Sequence, residues 1–153
     1  MLEGDARLKL GQADKAVSAF YEADFWLSLE GRERLCSPTA ELERAMEARL
    51  GKHHLDDDLR GRLLECLGTS RLRSGDVASG VRLFGQAAGV PNFYPSLGPL
   101  KQGGPAVREA LEKLLVDPRV PKSERMATER LLKRLRPDEP AAAAPRTTDR
   151  AQR

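Results

Sequence analysis

Few residues of this chain could do chemistry, and they are scattered. Cys36 and Cys66 lie far apart and outside any CxxC motif. Two cysteines are too few for a disulfide scaffold, so they are expected to be reduced thiols in a reducing compartment. Cys66 falls on an apolar helical stripe, which marks it as a core residue. His53 and His54 stand beside Asp56, Asp57 and Asp58. Metal donors must converge on one point, and adjacent side chains diverge, so no metal is assigned and no cofactor is implied. The three aspartates have a simpler role, because carboxylates stabilise the positive end of a helix dipole. No Ser/His/Asp order, phosphate-cradling glycine loop, GxGxxG or HExxH occurs. Carboxylates are plentiful, but no pair can be placed in a pocket. A non-catalytic protein is expected.

Charge gives a second candidate. Residues 119–136 carry +5, with Lys122, Arg125, Lys133 and Arg136 close together at 100° per residue and opposite Leu131 and Leu135. Such a face suits phosphates or an acidic partner. The competing account is a solvated outer face supported by the i,i+4 pair Glu129 and Lys133. No aromatics interleave these cations, which argues against stacking on single-stranded nucleic acid. The whole chain carries only +3, and residues 1–118 carry −2. The excess over neutrality is therefore confined to this one segment.

These residues must be positioned by helices. The 153 residues are about one domain's worth, with 40% hydrophobic, 32% charged and 5% aromatic residues. Apolar spacing follows the helical period, and no alternating strand pattern occurs. A helix is predicted over 2–10, stopped by Gly11, and a second over 13–29 with Ala16, Val17, Phe20, Ala23 and Leu27 inward. The stretch 30–36 reads as a break at Gly31. A third helix covers 38–50, capped by Ser37 with Pro38 first. A fourth starts at the aspartates and carries Leu59, Leu63, Cys66 and Leu67. A fifth, capped by Asp76, runs to Ala88. The prolines and glycines of 89–104 predict a loop. Its Phe93 and Tyr94 serve either as an interface anchor or as a cover over the preceding helices. Helices follow over 105–116 and 119–136. Residues 137–153 lack large apolar side chains and are expected to be disordered. The fold class is all-α, with about seven helices.

An internal repeat organises them. Shifting 4–23 by 64 residues onto 68–87 matches Gly4, Arg7, Leu8, Gly11, Val17, Phe20 and Ala23 with Gly68, Arg71, Leu72, Gly75, Val81, Phe84 and Ala87. Ala16 and Gly80 pair as small residues. The glycines at 11 and 75 suit a turn needing positive φ. The phenylalanines suit a gap between helix pairs that must stack to bury their faces.

The segment GTSRLRSGDVASGVRLFGQAAGVP at 68–91 resembles a tetratricopeptide repeat. Gly68, Gly75, Gly80, Phe84, Ala87 and Pro91 fall at the family's small, turn, aromatic and terminating positions. Residues 4–23 repeat the pattern through Gly4, Gly11, Ala16, Phe20 and Ala23. Residues 105–136 lack the signature and are expected to be a divergent or capping hairpin. The resemblance implies a helix-hairpin solenoid over 1–136, standing alone or as a piece of a longer array. It also implies a scaffold whose groove binds a protein or peptide partner. By position, that groove would be lined by Asp5, Lys9, Arg62, Glu65, Thr69 and Arg73, or else these form a solvated face. Glu65 would repel a carboxylate ligand. No run reaches the ~20 apolar residues of a membrane span, and no secretory leader is recognised, so a cytoplasmic location is expected.

Overall fold

The computed structural model describes residues 3–25, 29–52 and 54–135. All described elements are helices: α1 (Glu3–Lys9), α2 (Ala13–Phe25), α3 (Leu29–Cys36), α4 (Ala40–Leu50), α5 (Asp57–Arg73), α6 (Val77–Gly89), α7 (Gly98–Gln102), α8 (Gly104–Val116) and α9 (Lys122–Leu135). The chain is therefore all-α, with nine helices among the described residues where about seven were expected. The tail 137–153, with Leu27, His53 and Arg136, lies outside the described residues.

The two additional helices have physical causes. α3 runs straight through Gly31, where a break was expected. A Cβ on Gly31 would lie 2.6 Å from the Phe20 carbonyl oxygen and 2.7 Å from the Asp24 nitrogen. The glycine therefore lets two backbones touch and does not interrupt the helix. α7 forms inside the expected loop because Pro99 sits in its first turn and Leu100 is buried beneath it. Caps fix the other starts. The Asp56 carboxylate accepts from the nitrogens of Asp58 at 3.0 Å and Leu59 at 3.2 Å. The Asp76 carboxylate accepts from Ser79 N at 3.2 Å. Thr39, not Ser37, caps α4 by accepting from Leu42 N at 3.3 Å.

The segments related by the 64-residue shift fold alike. Gly11 and Gly75 both have positive φ, 67° and 86°. Around each turn the same bonds close: Gln12 N to Arg7 O and Asp76 N to Arg71 O are both 2.9 Å. A Cβ on Gly4 would lie 2.3 Å from the Phe20 ring, and one on Gly68 2.8 Å from the Phe84 ring. Both rings are fully buried, as are Ala16 and Ala87. Ala23 is half-buried against Gly31, and Gly80 packs on Leu72.

Contacts run between neighbours in chain order. α1 packs on α2, α2 on α3 and α4, α3 and α4 on α5, α5 on α6, α6 on α8 and α9, and α8 on α9. Phe20, Leu35, Met46, Leu63 and Leu67 form one core cluster, and Phe84, Leu100, Leu111 and Leu131 a second. Polar contacts join the same layers. Arg49 donates to Ser18 Oγ at 2.7 Å, and Arg71 to Glu47 at 3.1 Å. Cys36, at the end of α3, forms a disulfide with the fully buried Cys66 of α5. The reduced thiols expected from composition are corrected, because the contact between α3 and α5 brings the two sulfurs together. The case that the cysteines made for a reducing compartment goes with them.

Candidate functional site

The six residues nominated for a groove do not form one continuous open surface. Glu65 is only 1% exposed. Its Oε1 accepts from Arg32 at 2.6 Å and from Ser96 N at 3.2 Å, and its Oε2 accepts from Arg62 at 2.9 Å. Arg62 also pairs with Asp24 at 2.9 Å and lies 5.7 Å from the centre of the Phe93 ring. Thr69 is buried, and its hydroxyl donates to the Glu65 carbonyl at 2.9 Å. Arg73 donates to the Cys36 carbonyl at 3.1 Å and to Ser37 Oγ, closing the end of α3. Asp5 pairs with Arg34 at 3.3 Å, and Lys9 ends α1 at the surface. Two guanidiniums neutralise Glu65, so it presents no repulsion to a ligand.

The cause is the segment 91–102. Phe93 drops onto α5 where Gly61 leaves room, since a Cβ there would lie 2.2 Å from the ring. Ser96 then reaches Glu65, and α7 follows against α5. Phe93 and Tyr94 thus split the two alternatives read from sequence. Phe93 is buried as a cover, and Tyr94 is 79% exposed.

Besides a cleft of about 210 Å³ where Thr69 and Arg73 meet Val77, Pro99 and Val107, two open sites flank this segment. One is a concavity of about 480 Å³ where α4, α5, α6 and the start of α9 meet. Leu50, Leu64, Leu83 and Pro121 give it apolar walls, with Arg60 and Gln86 among its polar groups. Glu124 also lines it, although only 8% of that residue is exposed. The Glu124 Oε1 accepts no hydrogen bond among the described residues and lies 3.8 Å from Arg82 Nε.

The other is a cleft of about 170 Å³ between the 91–95 loop and α9, lined by Tyr94, Arg130 and Arg134. Asn92 turns the loop with φ 58°. The basic face read from sequence is only partly available. Lys133 pairs with Glu129 at 2.8 Å, the expected i,i+4 partner, and Arg125 is half-buried. Lys122 is exposed, and Arg136 lies outside the described residues. Arg130 and Arg134 were not singled out by periodicity. Their i,i+4 spacing was visible, but the loop that meets them was not.

Elsewhere the titrating groups serve local structure. Burial, and then the hydrogen bond to Asp58 at 2.6 Å, push the Tyr21 hydroxyl far above the usual phenol range. The Arg119 guanidinium beside Asp117 holds that carboxyl below its ordinary value. Among the described residues, no three His, Cys, Asp or Glu side chains gather as metal ligands would. No described helix is long and apolar enough to cross a membrane. Comparison with family models, with curated proteins and with solved structures gives no match.

Proposed function

We propose that this chain is a non-catalytic interaction module of tetratricopeptide-like helix pairs, acting as a scaffold for a peptide or helix of a partner protein. The observation that carries the reading is the likeness of 4–23 and 68–87, in which turn φ, hydrogen bonds and glycine-on-phenylalanine packing recur together. A helix pair of this kind cannot bury its apolar face alone and stacks on the next pair. The hairpins α1/α2, α5/α6 and α8/α9 each pack internally, and α3 and α4 both pack on α2 and on α5 between the first two, an order that supports a short solenoid.

The partner's place differs from the one the resemblance nominated. The face of α5 holding Arg62 and Glu65 is covered by the chain's own 91–102 segment, and Thr69 and Arg73 are left at a smaller cleft beside it. The concavity bounded by Leu50, Leu64 and Leu83 is open, has apolar walls with a few polar groups, and is formed by α4, α5, α6 and the start of α9, as suits a peptide groove.

Panning a random peptide library on the full chain tests this, with Gln86→Trp as the variant that fills the concavity. Enriched peptides are expected to bind the variant at least about tenfold more weakly by calorimetry, with unchanged far-UV circular dichroism. Failure to enrich any peptide, or equal affinity for the variant, overturns the assignment.

A further inference from the structure

On the peptide-binding reading above, we infer that the cleft between the 91–95 loop and α9 binds an acidic stretch of the partner polypeptide through Arg130 and Arg134. These two arginines are exposed and make no hydrogen bond or ion pair among the described residues. Lys133, on the same helix, is already engaged by Glu129. Arg130 and Arg134 stand one turn apart, so their stems are separated by about 6 Å along the axis. An extended peptide with carboxylates at alternate positions presents them about 6.8 Å apart on one side. The two spacings match, and each guanidinium offers a carboxylate paired N–H donors.

Tyr94 supplies the third element. Its ring stands in solvent beside the arginines while Phe93 anchors the loop below. It offers an apolar wall for a side chain next to the acids. A nucleic acid draws its affinity from many phosphate contacts and several stacked rings. Two guanidiniums and one ring in 170 Å³ suit a short acidic peptide better.

Fluorescence anisotropy on the full chain tests the proposal, using a labelled peptide of alternating glutamate and leucine and a glutamine-for-glutamate control. The glutamate peptide is expected to bind and the control not to. R130Q/R134Q is expected to weaken binding about tenfold or more, and added salt to weaken it in the wild type. Equal affinity for wild type and R130Q/R134Q overturns the proposal. So does tighter arginine-dependent binding of an oligouridylate, or of phosphatidylserine vesicles, than of the glutamate peptide. Gln86→Trp separates the two sites: loss of library peptides there with arginine-dependent glutamate binding intact supports both. Loss of the glutamate peptide in Gln86→Trp alone removes the acidic cleft and keeps the groove.

Discussion

At the scale of single residues, glycine decides where this chain can touch itself. Gly61 is a clear case, because its missing Cβ is the space that the Phe93 ring fills. In an isolated helix, replacing an interior glycine by alanine is stabilising by about 1 kcal/mol. Here the added carbon would sit inside a packed ring, and overpacking costs about 1–3 kcal/mol. Gly61→Ala is therefore expected to destabilise the wild type. Phe93→Ala alone removes a buried ring, at a cost of about 3–5 kcal/mol. In that background the clash is gone, and Gly61→Ala is expected to be stabilising. The sign reversal, read from urea midpoints of the four proteins, is the coupling between the two positions. An unchanged effect of Gly61→Ala in both backgrounds rules out the contact. Glu65 teaches a related lesson. Its position on a helix was legible in the sequence, but its burial was not, because burial comes from a loop that returns 31 residues later.

At the scale of elements, local signals fix several helix ends, although at α4 the cap is Thr39 where Ser37 is expected. Asp56 and Asp76 cap as their type and position demand, and Gly11 and Gly75 turn as expected. Gly31 was misread because the same residue type marks both a break and a close approach, and only the neighbouring helix separates the two. The Asp76 cap makes a further prediction. Hydrogen bonds from Ser79 hold its carboxyl below the ordinary value in the folded chain. A lowered folded pKa means stability that is present above the unfolded value, near pH 4, and lost as pH falls through the folded one. Asp76→Ala lacks that contribution at every pH. The gap between wild type and variant is thus expected to be widest near pH 6 and to shrink towards pH 2. Urea midpoints at those two pH values measure it. A gap that stays constant or widens in acid excludes an ionised cap.

At the scale of the whole molecule, the contacts that differ from expectation depend on which distant segments meet. With 30–36 taken as a break, Cys36 had no fixed place, and nothing set it against Cys66. With α3 formed, Cys36 ends a helix packed on the middle of α5, where Cys66 points into the core. Helix content and the repeat were visible because they depend on nearest neighbours. The disulfide depends on α3 packing on α5, and the buried Glu65 and the Tyr94 cleft on the return of the 91–102 segment, which local pattern does not specify. The bond joins α3 to α5 across 30 positions, so it ties the helix packed behind the first glycine-turn hairpin to the first helix of the second. Closing a loop of that size removes unfolded-chain entropy equivalent to about 3–4 kcal/mol. The guanidinium chloride midpoint is therefore expected to fall when reductant is added and the thiols are released. The double variant Cys36→Ala/Cys66→Ala is expected to have a low midpoint that reductant does not move. If the wild type, with both thiols titrated as free, keeps the midpoint of the oxidised chain, the bond does not brace the stack. α2, α3 and α5 are then held by the apolar layer of Phe20, Leu35, Leu63 and Leu67 alone.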